Sequence, residues 1–352
     1  MSNRSKPNDL TAKFVVSYSN LEYLRHIKTG GESVISLVNS AKYSEPIILK
    51  TMFNPSQYKT NTLREKQRQY FLEHYLQKEV LKKGGNVPKQ IEVGFCGSAT
   101  NRQAYMLMEK IGEDIVTLED IFKQEEISPD CLIDYCSTVA NTLNIVHSLG
   151  YVHGDIKPSN IFLDSKGECF VADFDLVRLK SVVDSNYKRG TISYMENEYI
   201  RTGKPLFLDQ AALGIILFEG LTNNHVVQGV QGNHYFSLYR QYTGIENREW
   251  KDKFSKTNKS LFEGEIYSFL NKVLTPSMND RYLDFNKVCK HLDHIKSLSK
   301  SKEKINFEKK KLVSKIVYLR KKNTLETNKV EDLDPSLSDS FKTVQTKNST
   351  KV

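Results

Sequence analysis

The sequence predicts an α+β fold with two lobes: a small, β-rich N-terminal lobe (N-lobe) with one main helix, and a larger helical C-terminal lobe (C-lobe). Short apolar runs typical of strands dominate residues 14–108 and are interrupted by one helical stretch over residues 63–83. From Thr117 onward, apolar residues recur at helical spacing. With 352 residues and 39% hydrophobic content, the chain is long enough to bury two cores.

The individual elements follow from the apolar pattern of each segment. The runs that predict strands in the N-lobe are FVVSY, SVISLV, PIILK, IEVGFC and AYMLM. The stretches that predict helices in the C-lobe are TLEDIF, CLIDYCSTVANTLNIVHSL, LDQAALGIILFEGL and FNKVCKHLDHIKSL. The predicted organisation is a disordered N-terminus over residues 1–10, the N-lobe and a hinge over 11–111, the C-lobe over 112–299, a basic amphipathic helix over 300–323 and a disordered tail over 324–352.

The formal net charge of +9 belongs to one segment near the C-terminus. Residues 296–322 hold 11 of the 51 Lys and Arg residues but only 2 of the 42 Asp and Glu residues. The rest of the chain therefore carries 40 residues of each sign and is formally neutral. A neutral body gives no electrostatic reason to expect a nucleic acid as a partner.

Cysteine usage and hydropathy favour a reducing compartment. The five cysteines form an odd set without a C-x-x-C pair, unlike a disulfide framework or a zinc site. The longest uncharged apolar run, from Ala211 to Phe218, is far shorter than the roughly 20 residues of a spanning helix. The first ten residues lack the apolar stretch of a secretory signal. We expect a cytoplasmic protein, or one delivered into a host cell cytosol if it is a bacterial effector.

Two segments carry residues suited to phosphoryl transfer: YVHGDIKPSNIFLD, residues 151–164, and FVADFDLVR, residues 170–178. Asp155 is the candidate for accepting a hydroxyl proton, and Lys157 for neutralising a γ-phosphate. Asn160 and Asp173 are candidate metal ligands, because carboxylate and amide oxygens suit Mg²⁺. An Asp-rich loop of this kind is usually only a solvated turn, but so many suitable residues at these spacings argue against that alternative.

Together the two segments resemble the H-R-D-x-K-P-x-N catalytic loop and the metal-binding D-F-G of the eukaryotic-type Ser/Thr protein kinase superfamily. The resemblance covers roughly residues 21–299 and implies a bilobal protein kinase fold with ATP and Mg²⁺ in the cleft. It implies ATP-dependent transfer of the γ-phosphoryl group to Ser or Thr hydroxyls of protein substrates. The alternatives are an inactive or weakly active kinase-like scaffold that binds protein partners and, less favoured, a small-molecule kinase.

Later segments favour a protein substrate. GTISYMENEY, residues 190–199, resembles the G-T-x-x-Y-M-A-P-E end of a protein kinase activation segment, and the helix that begins at Asp209 resembles the one that anchors it. The resemblance implies that Asp209 holds the backbone of the catalytic loop and that Glu198 pairs with Arg281. Lys157 and Thr191 are the residues that favour Ser or Thr over Tyr.

The N-lobe supplies the rest of the nucleotide site. Lys50 in SEPIILKTMF stands where the family has the strand lysine that pairs with the α- and β-phosphates. Of the three glutamates on the following helix, Glu73 is the predicted partner of Lys50, because apolar residues at helical spacing place it on the inward face. Glu65 and Glu79 are predicted to be surface charges.

The glycine loop and the hinge are recognised from the same resemblance. IKTGGES falls on G-x-G-x-x-G, yet only Gly30 survives, with Ile27 and Ile35 as the flanking apolar residues that would contact ATP. AYMLMEKIGED resembles the family's hinge and implies the following contacts around adenine: Met108 as gatekeeper, the carbonyl of Glu109 and the N–H of Ile111.

Three departures from the family pattern bear on function. Gly154 replaces the Arg of H-R-D, so control by a phosphate on the activation segment is disfavoured. Asp175 replaces the Gly of D-F-G, which removes a residue tolerant of positive φ and predicts an altered metal preference, with Mn²⁺ as the alternative ion. Glu196 and Asn197 replace the Ala and Pro of A-P-E.

The basic segment over residues 303–322 has an apolar stripe of Ile305, Leu312, Ile316 and Leu319. Two interpretations stay open. The helix could bind an anionic membrane surface or an acidic partner, or it could dock the stripe on the body of the protein and leave its lysines in solvent.

Overall fold

The computed structural model describes residues 15–16, 20–30, 33–52, 60–97, 102–183, 189–222, 261–275, 278–299 and 301–333. The disorder predicted for residues 1–10, and for residues 334–352 of the predicted tail, lies outside these ranges. Residues 324–333 of that tail are helical, so the prediction of disorder is wrong there. Within them, the chain forms a β-rich N-lobe and a helical C-lobe, as the sequence predicts.

The N-lobe is a five-stranded antiparallel sheet with strand order β1-β2-β3-β5-β4. Its strands are β1 Leu21–Thr29, β2 Ser33–Ser40, β3 Ile47–Met52, β4 Gln90–Cys96 and β5 Gln103–Met108. Its main helix is α1, Thr60–Lys82, close to the predicted range. The predicted FVVSY strand is wrong: Val15 and Val16, its two described residues, are helical, and the first strand begins later at Leu21.

Strand alternation decides which side chains of β3 face helix α1. Ile47 and Leu49 pack with Val15 and Leu107 in one apolar cluster. Met52, which belongs to the other alternating set of β3 side chains, packs in a second cluster with residues of α1 and β5. Because successive side chains of a strand point to opposite faces, Lys50 lies on the face of Met52, toward α1. The alternation of side chains along β3 therefore places Lys50 next to helix α1.

The C-lobe is built around α3, whose buried residues include Leu132 and Leu143. The helices of this lobe are α2 Leu118–Gln124, α3 Pro129–Ser148, α4 Asn197–Thr202, α5 Leu208–Thr222, α6 Leu261–Leu274 and α7 Phe285–Ser297, followed by α8 Lys302–Leu333. Helix α3 begins where the Ser128 hydroxyl accepts a hydrogen bond from the Cys131 N–H at 3.3 Å, with proline as the next residue.

Helix α5 is apolar on all sides because α3 and α6 both cover it. Two glycines of α5 allow helices α3 and α6 to approach it closely. A Cβ at Gly214 would lie 2.5 Å from Val273, and one at Gly220 would lie 2.7 Å from Leu132. The near-continuous apolar run of α5 is thus a buried helix of the C-lobe. None of the described helices is both long enough and apolar enough to traverse a lipid bilayer.

Two small sheets carry the loops of the C-lobe. Strand β8, Ile161–Leu163, pairs with β6, Val116–Thr117, and with β9, Cys169–Val171. Strand β7, Tyr151–Val152, pairs with β10, Arg178–Leu179. The first sheet therefore supports the two segments that the sequence singles out for chemistry, and the second joins the start of one to the end of the other.

Helix α8 docks on the C-lobe through its apolar stripe. Ile305 and Ile316 of the predicted stripe are buried, together with Val313 beside them, and Leu312 packs partly against the same core. The basic residues form four cross-element ion pairs: Lys309–Asp134 at 2.8 Å, Lys315–Glu125 at 2.7 Å, Arg320–Asp120 at 2.5 Å and Lys321–Asp114 at 3.1 Å.

The apolar stripe is docked on the body of the protein, as the second interpretation expects, but the lysines are not all left in solvent: Lys309 is buried and paired with Asp134. A membrane could use the apolar stripe only if α8 first left the C-lobe. The helix also continues to Leu333, ten residues beyond its predicted end.

Lys309 gives a measure of how firmly α8 is held, because it is 4% exposed and its amine also lies 4.9 Å from the centre of the Tyr135 ring. We expect Lys309→Ala to lower the free energy of unfolding by about 2 kcal/mol, since it removes a hydrogen bond to a buried carboxylate. Urea denaturation of the full chain measures this value. Lys310→Ala, at an exposed neighbouring position, is the matched control; equal effects of the two changes would contradict the docked helix.

Candidate active site

A cleft of about 870 Å³ is lined by residues of both lobes. Helix α1 and strand β3 contribute Gln69, Tyr70 and Met52. The residues that the C-lobe contributes include Asp155, Lys157, Asp173, Asp175 and Thr191. Polar residues far apart in sequence therefore meet in one concave space, as the candidate chemistry requires.

Lys50 is paired with Glu73, the partner predicted from the face of the helix. Its amine lies 2.8 Å from one carboxylate oxygen of Glu73 and 2.9 Å from the other, and the two residues are 3% and 2% exposed. Glu73 lies on the buried face of α1 with Leu76 and Val80. Leu81, which was predicted to share this face, is exposed.

A second carboxylate, that of Asp175, also contacts the Lys50 amine, and Asp173 lies 3.7 Å from it. Burial alone would lower the pKa of Lys50, but the carboxylates of Asp175 and Glu73 outweigh burial and raise it well above its usual value. The lysine is therefore charged. Burial, helped by the negative charge of Asp175, also raises the pKa of Asp173, to about 6.

The metal-binding segment has its unusual backbone conformation at Asp173. This residue has φ 66° and ψ 66°, and it is the one residue other than glycine with a positive φ in the described ranges. A short 3-10 turn, Phe174–Leu176, follows. Position 175 therefore does not need the freedom of glycine, and its aspartate is tolerated without backbone strain. The Asp175 carboxylate is directed to Lys50.

Gln69 joins helix α1 to this segment. Its side-chain amide donates to the carbonyl oxygens of Phe174 at 3.4 Å and Val177 at 3.1 Å. Gln69 lies one helical turn before Glu73, so both point inward from α1. Gln69 is not among the residues predicted for the site, although its i−4 spacing from Glu73 places it on the same helix face. Helix α1 thus holds Lys50 and the metal-binding segment at once.

Asp155 lies in a dense set of hydrogen bonds. Its carboxylate accepts from the Lys157 amine at 2.6 Å, from the Thr191 N–H at 2.9 Å and from the Thr191 hydroxyl at 2.8 Å. Burial would raise the pKa of Asp155, but the hydrogen bonds and charge of Lys157 and the hydrogen bond of Thr191 outweigh it, and the pKa is lowered. Asp155 is therefore an ionised carboxylate at neutral pH and can accept a proton.

Asn160 and Asp209 fix the backbone around Asp155. The Asn160 amide donates to the Asp155 carbonyl oxygen at 2.9 Å. The Asp209 carboxylate accepts from the N–H groups of His153 at 2.8 Å and Gly154 at 2.9 Å, and it lies 2.8 Å from the His147 ring nitrogen. Burial opposes ionisation of Asp209, yet these hydrogen bonds hold its pKa at about 2. The implied role of Asp209 in holding the loop agrees with this geometry.

The predicted pairing of Glu198 with Arg281 is wrong. Arg281 pairs with Glu196 at 2.7 Å, and both side chains are 2% exposed. Glu198 instead pairs with Arg201, which is 76% exposed, at 2.6 Å. The physical reason lies in helix α4: Glu196 is its N-cap and accepts hydrogen bonds from the Glu198 and Tyr199 N–H groups, both at 2.8 Å. The residue that caps the helix is directed inward, and the residue two positions later is not.

The adenine-side residues lie apart from this polar cluster. Gly30 ends β1 and its N–H donates to the Ser33 carbonyl oxygen at 2.8 Å. Met108 ends β5, and the Glu109 N–H that follows donates to the Lys89 carbonyl oxygen at 2.8 Å. Lys50, Glu73 and Asn160 are buried and do not line the 870 Å³ cleft themselves. The adenine-side residues that do not line it are Ile27, Gly30, Ile35, Met108, Glu109 and Ile111. Their contacts with ATP stay predictions.

The side chains present fit a metal–nucleotide pair. Within the described part of the chain, no group of three or more His, Cys, Asp or Glu side chains is arranged to hold a metal alone. Asn160 and Asp173 would offer two oxygen ligands, which leaves the other positions to phosphate oxygens and water, as Mg²⁺ prefers. Four carboxylates line the cleft, at Glu65, Asp155, Asp173 and Asp175, together with Lys66, Lys157 and Arg189. The negative charges of Asp155 and Asp175 both act on Asp173, so a cation bound at Asp173 would be favoured.

A comparison with protein families agrees with this geometry. The model described as "Protein kinase domain" matches residues 21–292, which is most of the chain. The chain belongs to the protein kinase family. A kinase domain implies ATP and a divalent metal ion in general.

Curated relatives of this chain are kinases by name. It is 32% identical to ribosomal protein S6 kinase alpha-6 of Danio rerio over 148 residues, covering 40% of this chain and 19% of that protein. It is 29% identical to the cAMP-dependent protein kinase catalytic subunit PRKX of Mus musculus over 220 residues, covering 62% and 58%. The kinase thus spans about a fifth of the S6 kinase and less than two thirds of PRKX.

A solved structure shows the same fold. The Cydia pomonella granulovirus kinase PK-1 aligns with a TM-score of 0.58 over 81% of this chain and 98% of that chain, at 18% sequence identity. The match and the observed layout agree that this is a bilobal kinase fold, as the sequence predicts.

Glu196 and Glu198 allow the corrected pairing to be tested. We expect Glu196→Gln to lower the free energy of unfolding by about 3 kcal/mol, because it leaves the buried Arg281 charge without a counter-charge. Glu198→Gln, the matched control, removes only an exposed pair and should change it by less than about 1 kcal/mol. Denaturant unfolding followed by circular dichroism compares them. A larger loss for Glu198→Gln than for Glu196→Gln would restore the pairing expected from sequence.

Proposed function

We propose that this kinase transfers the γ-phosphoryl group of ATP to Ser or Thr hydroxyls of protein substrates. The observation that carries the proposal is the state of Asp155: an ionised carboxylate on the cleft, held by Lys157 and Thr191. The buried Lys50–Glu73 pair of the N-lobe contacts Asp175, which lines the same cleft. A competent phosphotransferase needs both a base and a buried cation of this kind.

Each residue then has a defined part in the reaction. Asp155 orients the attacking hydroxyl and accepts its proton as the new P–O bond forms. Lys157, 2.6 Å from Asp155, is placed to neutralise charge on the transferred phosphoryl group. Lys50 binds the phosphates that leave with ADP, and Asn160 and Asp173 hold the metal. The metal held by these two residues would supply positive charge that offsets the negative charge developing on the phosphoryl oxygens.

The preference for Ser or Thr rests on the contact of Lys157 with Thr191, 2.9 Å between amine and hydroxyl. Both residues bind Asp155, so the base is held close to the chain that would carry a peptide. A further curated relative, from Lactococcus lactis and 31% identical over 125 residues, is named a probable serine/threonine-protein kinase, which supports the same specificity. The buried Glu196–Arg281 pair, which anchors helix α4, favours a protein over a small molecule as the acceptor.

The scaffold alternative has one observation in its favour. Asp175 contacts Lys50, so part of the lysine charge that ATP would use is already engaged. Against this alternative stands the complete set of four: Asp155 and Asp173 line the cleft, and Lys50 and Asn160 lie directly against them. A protein that only binds partners would gain nothing from keeping all four.

We also propose that the kinase acts in a reducing cytosol, its own or that of a host cell. The support is its cysteine chemistry: all five cysteines are buried free thiols. Disulfides rarely persist in such a compartment, and buried thiols are stable there.

Asp155→Asn tests the activity. The change keeps the shape of the side chain but removes the proton acceptor, so we expect the rate of transfer from labelled ATP to an acceptor protein such as casein to fall about 10²- to 10⁴-fold. Asp280→Asn, at an exposed position, is the matched control and should keep the wild-type rate. A wild-type rate no higher than that of Asp155→Asn would favour the scaffold instead.

Asp175 is expected to set the choice of metal ion. Asp175→Gly removes one of the carboxylates around Lys50, so we expect a lower KM for ATP and a changed ratio of rates in Mg²⁺ and Mn²⁺. Asp175→Asn, which keeps the size but not the charge, should behave similarly if charge is the cause. Steady-state kinetics in each metal measure both effects. Equal rates in the two metals, unaltered by Asp175→Gly, would refute a role in metal choice.

A further inference from the structure

Arg178 follows the metal-binding segment on strand β10, opposite Val152 of β7. Its guanidinium packs against the backbone of Gly154, the residue before Asp155. A Cβ at Gly154 would lie 3.0 Å from Nη2 and 3.2 Å from Cζ of Arg178, and 2.8 Å from the Leu176 carbonyl oxygen. Gly154 also has φ +83°, which side chains rarely adopt. The catalytic loop is therefore shaped to bring its backbone against this arginine.

The same guanidinium reaches the segment that precedes helix α4. Nη2 of Arg178 donates to the Arg189 carbonyl oxygen at 3.3 Å, and Cζ lies 4.9 Å from the centre of the Tyr199 ring. Tyr199 is fully buried, and its hydroxyl accepts from the Arg189 N–H at 3.1 Å. Arg178 thus contacts the catalytic loop, residue 189 and helix α4 with one rigid, planar group.

The contact of Arg178 with Arg189 lies two residues before Thr191, whose hydrogen bonds hold Asp155. Arg189 is followed by Gly190 and Thr191, and Thr191 donates both its N–H and its hydroxyl to Asp155. A Cβ at Gly190 would lie 2.8 Å from the Gly154 carbonyl oxygen, so the two glycine backbones also meet closely. A shift at Arg189 would therefore move Thr191 off Asp155.

We propose that Arg178 is a positioning residue for Asp155: by clamping Arg189 and Tyr199 over Gly154, its guanidinium keeps Thr191 on the catalytic base. The clamp uses only groups of this chain, so the arrangement holds without an added phosphate. Gly154 occupies the position where the resembled family has the catalytic-loop arginine, and here the cation comes from β10. This inference rests on the proposed phosphotransferase function and identifies how that site is held in order.

The test compares the full-length wild type with Arg178→Ala and Arg178→Lys, and with Lys82→Ala as a control for the loss of an exposed cation. We expect Arg178→Ala to lower kcat at least about tenfold while KM for ATP changes less than about twofold, because orientation of the base is lost and nucleotide contacts are kept. Arg178→Lys should be intermediate, since an ammonium cannot reproduce the planar contacts.

A chemical rescue separates positioning from general stability. Ethylguanidinium added to Arg178→Ala should restore part of kcat, and ethylammonium should not. Wild type treated with a phosphatase should keep its rate. Wild-type kcat in Arg178→Ala, or loss of wild-type activity on dephosphorylation, would overturn the proposal.

If thermal melting shows that Arg178→Ala does not fold, Arg178→Lys decides: a kcat equal to wild type overturns the proposal, and a lowered kcat with unchanged KM supports it. An inactive wild type that matches Asp155→Asn would overturn the proposed function itself, and the inference with it.

Discussion

A buried ammonium group is the constraint on which the arrangement of the cleft depends. Lys50 is 3% exposed, and its charge is stable there only because carboxylates from both lobes surround it. Glu73 comes from α1 of the N-lobe and Asp175 from the C-lobe. The two lobes are thus joined through one lysine, and α1 cannot turn about its axis without uncovering that charge.

Hydrogen bonds in both lobes reinforce this arrangement. On the N-lobe side, Gln77 donates to Glu73 at 3.2 Å and Gln90 donates to Gln77 at 3.0 Å, so the carboxylate is backed by strand β4. On the C-lobe side, the turn after Asp173 is bound by Gln69 of the same helix. One helix therefore sets the positions of the lysine, its partner and the metal-binding segment, and α1 accordingly buries three polar or charged residues, Glu73, His74 and Gln77.

Local patterns in the sequence predicted much of this structure. Helical periodicity predicted that Glu73 faces inward. The spacing of the two C-lobe segments predicted that Asp155 and Asp173 lie in one cleft. What the sequence could not decide were choices made by longer-range contacts. From the sequence alone, Glu196 and Glu198 are equally plausible partners for Arg281. The structure decides between them, because Glu196 is the N-cap of α4 and is directed inward to Arg281. Likewise, the basic stripe of α8 fits a membrane or an acidic body equally well, until Asp114, Asp120, Glu125 and Asp134 are found to lie along its path.

The docking of α8 has a practical consequence for anyone who shortens the protein. The family match ends at residue 292, whereas α8 begins at Lys302. A fragment trimmed to the family boundary would uncover an apolar strip where Ile305, Val313 and Ile316 now sit, flanked by carboxylates that have lost their lysines. An exposed apolar surface of this kind favours self-association of the fragment. The smallest well-behaved unit of this kinase therefore extends past its family boundary and includes the helix.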